Sequence, residues 1–527
     1  MKTEQRMWGR RPRKSAPQEK PRMDVTNDKE TFEKIGVVLQ DPSMPHKPYI
    51  YGDALTLMVL RKGQSPKFVV LTPQALVAHV GDTVDTYKLV GKEGKEQREL
   101  MSEKVARAYV NKVDHVHDRV SAVTTTPTLL PGGKILMKEG LDVSSGLYLS
   151  GERYSGVSVD VPPHPDEVLA AKKLLGLITA DFGWVAPCDR ANFIGYLFAP
   201  LIRHYRGGLV PAFIFTADNP GSGKSYLAEL PGQIYGFYPA GWTRDDDTEI
   251  RKVITAVLTE TSDPIVIFDN LNNGTVIRSA SMAKLLTSRS WGDRVLGLTR
   301  TVNAPNNRVW AFTGNNIAPG DDLPRRCVMS RLTCDHPEPE SRDAKQFALG
   351  EDLKQWADKN SDKLLHAMLV LVADWVAAGA PEKEVSLSGF QEWASVTAGL
   401  LDHIGVEGFL HDRGSITRAE NRDEQEWVAV LSSWRDEYGS GWVRVSDVLN
   451  NEKIREHLPE LPGRDLTSQM LGKILEKMRN RWIGKLRIAK SKLPDSHDKC
   501  YRWRVEEHGA ENEEFNAKVS PKKREDW

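Results

Sequence analysis

The run Asp218-Asn-Pro-Gly-Ser-Gly-Lys-Ser225 puts two glycines, a lysine and a hydroxyl in the order that a bound polyphosphate requires. Gly221 and Gly223 let the backbone curl so that successive N–H groups face one point. A helix starting there adds positive partial charge. Lys224 is expected to reach the β- and γ-phosphates, and Ser225 to offer its hydroxyl to Mg²⁺. Asn219, Pro220, Gly221, Ser222, Gly223, Lys224, Ser225 and Tyr226 are therefore candidate contacts for ATP with Mg²⁺. The pattern GxxxxGK[ST] begins with glycine where this chain has Asp218. That glycine shapes the turn and brings no side chain to phosphate.

A carboxylate follows on Pro264-Ile-Val-Ile-Phe-Asp269-Asn270, 45 residues after Lys224 (269 − 224). An apolar buried strand would deliver Asp269 to the sheet edge beside the glycine turn, where it can hold the water shell of Mg²⁺ with Ser225. Asn270 can orient water but cannot take its proton. Either it only positions water, or another carboxylate such as Glu260 or Asp293 helps. A third polar strand end, Val309-Trp-Ala-Phe-Thr313-Gly314-Asn315, offers Asn315 to the γ-phosphate or the water.

Arg325 and Arg326 come next, after Asp321-Asp-Leu-Pro. Beside those acids they read as a surface ion pair of little energetic value. Arg331 is a further arginine of interest just after them. Between the last two strands, residues 293–308 can form a hairpin with its turn at Val302 to Asn307. Arg294, Arg300 and Arg308 would then be available to a phosphodiester backbone.

These residues need a scaffold. The apolar runs at 212–216, 264–268 and 309–313, separated by helical stretches, indicate a parallel sheet buried on both faces. Residues 163–206 and 344–410 show helical apolar spacing. Short β-rich runs at 31–160 suggest a separate α+β domain, with Asp114-His-Val-His117-Asp118 as a solvated surface. Residues 424–506 read as helix, strand, two helices and a hairpin, the order of a winged helix. Lys473, Lys477, Arg481, Lys485 and Arg487 form a basic stripe there that would attract phosphates. Trp482 and Trp503 fit its core.

Bulk properties add exclusions. Among 527 residues, Lys+Arg and Asp+Glu are equal at 72 each, so net charge names no partner. No apolar run approaches the roughly 18 residues that a membrane helix needs. Cys188, Cys327, Cys334 and Cys500 are scattered without a CxxC pair, against a zinc site or disulfide framework. A reducing cytoplasm is the expected location.

The series GSGKS, IVIFDN, SRSWGDRVLG, TGNN and DLPRR, in this order, resembles the AAA+ helicases of phages, plasmids and integrative elements. These are relatives of the superfamily 3 and minichromosome-maintenance helicases. The resemblance covers about 160–410. It implies an α/β AAA+ P-loop ATPase core, a homo-oligomeric ring, in particular a hexamer, and ATP-driven movement on single-stranded or forked DNA. It assigns Arg325 or Arg326 as a trans-acting arginine, Asn315 as sensor 1, and a hairpin that enters the ring channel. The expected domains are a basic disordered tail at 1–30, an α+β domain at 31–160 and the ATPase core at 161–335. A helical lid at 336–415, a winged helix at 424–506 and a charged tail at 507–527 complete them. No primase site is evident in 31–160, so a separate primase is an expected partner. A helicase loader or nucleotide switch that binds DNA without processive unwinding is the alternative.

Overall fold

The computed structural model describes residues 20–507 except 42–43, 45, 60–65, 113–115, 151–153, 155, 244–245, 295–300, 335–342, 344, 346, 412–421, 459–465, 480–481, 484, 492, 496–497 and 499. The chain divides into two compact units, Met1–His411 and Asp412–Trp527.

The first unit opens with small mixed sheets. Strands Lys67–Val70, Ala54–Val59, Pro48–Tyr51 and Arg119–Val120 form one; Arg22–Asp24, Asp85–Val90 and Lys95–Arg98 form another. Order starts earlier than the sequence suggests. The expected tail contributes the strand Arg22–Asp24, and a helix begins at Asp28 with Asn27 as its cap. The reason is local. Met23 enters the core, and Arg22 pairs with Asp85 at 3.3 Å and Glu96 at 2.6 Å. Within the 114–118 cluster, read as a solvated surface, Val116 and Asp118 are exposed but His117 is not. His117 is only 4% exposed and hydrogen-bonds to Tyr109 Oη at 2.8 Å and to Gln40, which draws it inward.

The site rests on a six-stranded sheet ordered Gly183–Trp184, Cys327–Thr333, Ala212–Ala217, Val309–Asn315, Ile265–Leu271, Phe237–Ala240. All neighbours are parallel except the two-residue edge strand. Every residue of Ala212–Ala217 is buried, as a sheet covered on both faces requires. Phe268 stacks on Phe312 at 5.0 Å between centroids, with Trp242 edge-on to both. Burying each such ring contributes about 1.5–3 kcal/mol. Helices Pro187–Arg206, Lys224–Tyr235, Asp247–Glu260, Leu353–Ala377 and Gln391–Ile404 surround the sheet. Close approach at Gly195 is what lets the first of these meet the last. A Cβ there would lie 2.9 Å from Phe409 and 3.2 Å from Thr397.

Strands Ser290–Arg294 and Thr301–Pro305 pair antiparallel from Ser290↔Pro305 to Arg294↔Thr301. The hairpin is present but its register differs from expectation: Val302 and Asn303 lie in a strand, and the connection is 295–300. Arg300 therefore lies outside the described residues, and Arg308 does not belong to the hairpin at all. It is 2% exposed and donates to Thr261 O and to Asn307 Oδ1, so it cannot reach a nucleic acid. Its position explains this, since it leads into the strand Val309–Asn315, which is buried along almost its whole length.

Arg203 lies close by, donating to Arg308 O at 2.7 Å and Asn306 O at 2.6 Å. Burial, with the Arg308 charge second, pushes its guanidinium down to about 9. Next in the chain, His204 is pushed down to about 3 by burial and then by Arg203. Unfolded, His204 takes a proton near its ordinary 6.5; folded, it stays neutral until about pH 3. The unfolded chain thus binds more protons in that window. Stability is full above about pH 6.5 and falls as pH drops toward 3, by less than about 1.4 kcal/mol per pH unit from this group. Urea unfolding at pH 7 and pH 5 is expected to show a smaller loss for His204→Gln than for wild type. Equal losses would remove His204 from the account.

The second unit is held by one apolar core. Trp427, Leu431 and Trp434 of the helix Arg422–Tyr438 meet Leu471 and Leu475 of the helix Ser468–Met478 and Trp503 and Val505 of a small sheet. That sheet runs Trp482–Ile483, Leu486–Lys490, Trp503–Glu507, with an isolated bridge from Val443 to Trp503. The intervening helix spans Val445–Asn450. Asn451 then caps a second short turn, accepting from Ile454 N–H at 3.2 Å.

Candidate functional site

The strand Ala212–Ala217 ends at the carboxyl edge of the sheet, and the turn after it leads into the helix Lys224–Tyr235. In parallel sheets, ligand crevices form outside this edge. Gly221 and Gly223 carry φ of +72° and +90°, the left-handed region that favours glycine. At Gly223 a Cβ would also strike the Phe182 ring at 2.7 Å. Two requirements, conformation and space, therefore exclude a side chain there.

Lys224 lies largely buried inside the turn. Its Nζ donates to Ser222 Oγ at 2.9 Å and Asn219 O at 3.2 Å. Burial lowers its pKa; the nearby Asp269 carboxylate acts in the opposite sense. Ser225 Oγ donates to Asp269 Oδ1 at 2.9 Å, so the hydroxyl and the carboxylate from two distant segments meet. Together they form a hard oxygen pair of the kind that holds Mg²⁺ through few protein ligands.

A cleft of about 470 Å³ opens at this edge. Its lining joins the turn and strand ends, Pro220, Gly221, Gly223, Lys224, Ser225, Asn270 and Asn315, to apolar side chains that include Leu177, Ile178, Phe182, Phe347, Leu349 and Leu353. Asn315 Oδ1 is buried without a hydrogen-bond partner, an acceptor that a ligand or water is needed to satisfy. Asn270 takes a left-handed backbone, φ +55°. A lining that combines a polar, N–H-rich turn with apolar side chains suits a molecule with a polyanionic tail and a flat ring.

The apolar lining has no separate signal in the sequence. Leu177 and Ile178 satisfy a helical period, and 347–353 lies in a stretch that reads only as helical. The structure brings them to the cleft because Ala348 N–H donates to Asp181 at 2.9 Å and Lys354 pairs with Glu229 of the helix Lys224–Tyr235 at 3.0 Å. Of the other carboxylates weighed for a catalytic role, Asp293 lies in the hairpin strand Ser290–Arg294, opposite Val302. It accepts from Thr255 at 2.8 Å and lies 3.5 Å from Arg251. Glu260 closes the helix Asp247–Glu260 and does not line the cleft.

The arginines separate clearly. Arg325 is 63% exposed and pairs with Asp322. Arg326 is 18% exposed and donates to Ala283 O. Arg331 lies in the strand Cys327–Thr333 and pairs with the fully buried Asp189 at 3.0 Å. That ion pair ties Arg331 to its own chain. None of the three lines the cleft.

Among the nucleic-acid candidates, Arg294 ends its hairpin strand and Lys477 lies in the helix Ser468–Met478. Lys473 and Lys485 are exposed, whereas Arg481 lies outside the described residues. Arg487 is engaged with Glu506 at 2.7 Å, and Arg479 and Lys490 both pair with Glu476. The stripe is thus partly neutralised by its own unit, which spacing alone does not reveal.

No helix among the described residues is long and apolar enough to cross a membrane. No family model and no curated protein matches the chain. Among solved structures the chain is similar to the apo C-terminal region of NrS-1, over 92% of this chain and 100% of that chain, with 10% identity and a TM-score of 0.39. SCCmec type IV Cch, described as an active helicase, is similar over 85% of this chain and 84% of its own, with 12% identity and a TM-score of 0.29. The JCV helicase matches over 47% of this chain and 63% of its own, with 10% identity and a TM-score of 0.24.

Proposed function

We propose that this chain is an AAA+ P-loop ATPase that unwinds DNA as a ring, serving replication of a phage or other mobile element in the bacterial cytoplasm. The observation that carries the reading is the contact of Ser225 Oγ with Asp269 Oδ1 at 2.9 Å, beside a lysine held in a glycine turn at the carboxyl edge of a parallel sheet. In this reading the N–H groups of 221–225 and the Lys224 ammonium hold the phosphates of ATP. Ser225 and Asp269 hold Mg²⁺, Asn270 and Asn315 orient water, and the apolar side chains take the base. ATP with Mg²⁺ supplies a phosphoanhydride whose hydrolysis is favourable; the chain's residues bind it, exclude competing geometry and place the water.

Arg325 is the better candidate to act on a neighbour's nucleotide, because a cation that must cross a subunit boundary has to be exposed. A hexamer formed by this contact would place the hairpin 290–305 toward a central strand of DNA. The helices Val445–Asn450 and Ser468–Met478 with their three-stranded sheet would serve as a winged helix on duplex or forked DNA. Lys473→Ala and Lys485→Ala are expected to weaken DNA binding equally for all sequences. Each should lower the slope of log K against log [salt] by about 0.9 for every phosphate it no longer neutralises. An unchanged slope in fluorescence anisotropy would take this surface out of the interface.

The primary test is ATP hydrolysis with and without single-stranded DNA, together with displacement of a labelled strand from a fork. Stimulated hydrolysis with displacement is expected. Asn270, an amide where a carboxylate would take the water's proton, favours a second reading as a loader or nucleotide switch. DNA-stimulated binding without displacement would select that reading; a separate helicase and primase would then complete the system.

A further inference from the structure

The strand carrying Asp269 is interrupted where it matters. Its register against Val309–Asn315 runs Phe268↔Phe312 and then Leu271↔Gly314. Asp269 and Asn270 therefore face the single residue Thr313, the two-against-one count of a β-bulge. A bulge re-aims side chains and gives up ladder hydrogen bonds, and Asn270 takes a left-handed backbone to do so, φ +55°. A side chain replaces the missing ladder bond. Asn270 N–H donates to Thr313 Oγ1 at 2.8 Å, and the same hydroxyl donates to Asp269 Oδ1. Thr313 is 1% exposed.

A threonine hydroxyl has one hydrogen and two lone pairs, so this arrangement uses its donor and one acceptor with defined polarity. Asp269 Oδ1 receives both Ser225 Oγ–H and Thr313 Oγ1–H. With one oxygen held by two hydroxyls, the carboxylate's rotation is set and its Oδ2 is left for a cation's water shell. The backbone N–H of the neighbouring Asn270 is held by the same atom, which fixes where its side chain starts.

We propose that Thr313 is a positioning residue for nucleotide hydrolysis, one buried hydroxyl that orients both Asp269 for the metal and Asn270 for water. The inference rests on the ATPase reading above and adds a residue to it. A methyl-for-hydroxyl exchange keeps the shape and removes both bonds. Groups that hydrogen-bond to metal ligands typically account for about 10–100-fold in metal affinity or activity.

The test uses the full chain as wild type, Thr313→Val and Thr313→Ser. A fluorescent ATP analogue is titrated in EDTA, and ATP hydrolysis is measured against Mg²⁺ concentration. For Thr313→Val, binding in EDTA within about twofold of wild type is expected, with kcat lowered about 10–100-fold and the Mg²⁺ midpoint raised. Thr313→Ser keeps the hydroxyl and is expected to restore most of the rate. A Thr313→Val protein with the wild-type rate and Mg²⁺ midpoint overturns the proposal, as does a Thr313→Ser protein equally impaired, which would point to the methyl's packing. A wild type that binds no nucleotide overturns the ATPase reading itself, and this inference with it.

Discussion

Lys224→Ala is expected to lower ATP hydrolysis by about a thousandfold, equivalent to about 4 kcal/mol of transition-state stabilisation, and to abolish strand displacement. The size follows from where the ammonium sits. It lies inside the glycine turn, held by Ser222 Oγ and Asn219 O, and its surroundings are dry enough to lower its pKa. A cation in so little water interacts strongly with developing negative charge. A bound polyphosphate would raise the pKa again and keep the lysine charged. Removing the side chain leaves the backbone cradle of Gly221 and Gly223 intact, so weak nucleotide binding should persist. Steady-state hydrolysis and displacement of a labelled strand measure both parts. Displacement that survives the substitution would place the motor elsewhere in the chain.

The second large effect concerns assembly. Arg325→Ala is expected to retain ATP binding and lose hydrolysis by about 10³-fold or more, the scale of a trans-acting arginine. The exposed Arg325 does not line its own subunit's cleft, so its loss cannot act through the phosphate turn of its own chain. Mixing supplies the decisive form of the experiment. An Arg325→Ala subunit has an intact Lys224, and a Lys224→Ala subunit has an intact Arg325. In a ring with head-to-tail contacts, about a quarter of the sites in an equal random mixture would combine both intact residues. Two inactive proteins should therefore recover activity together. A mixture that stays inactive, with assembly verified by light scattering, would rule out action across the subunit boundary. Arg326 serves as the internal comparison. Bound to Ala283 O, it should affect stability more than the neighbour's hydrolysis.

Much of the candidate site is legible in the order of residues because its chemistry is local. The turn 218–225 is eight consecutive residues, and strand ends at Asp269 and Asn315 follow from apolar runs that only a doubly covered sheet can bury. Residue type and spacing are enough for those. The meeting of Ser225 and Asp269 is expected from strand logic; its 2.9 Å contact required the sheet.

Other features depend on separations that no local pattern encodes. Thr313 becomes visible only through a bulge between two strands, because a hydroxyl's role depends on what faces it. Phe182 matters through Gly223, 41 residues away (223 − 182), by steric contact alone. Arg308 looks like an available cation since basic residues are usually exposed; tertiary burial under Thr261 O reverses that. Arg22–Asp24 looks like tail because its neighbours are charged, yet Asp85 and Glu96 give Arg22 its partners. The sequence by itself determined the chemistry available and the sheet that carries it, since both follow from short-range order. The tertiary structure alone decided which cations face solvent, which hydroxyl holds the carboxylate and which apolar side chains line the cleft. Those depend on long-range contacts, where burial and partner geometry outweigh residue type.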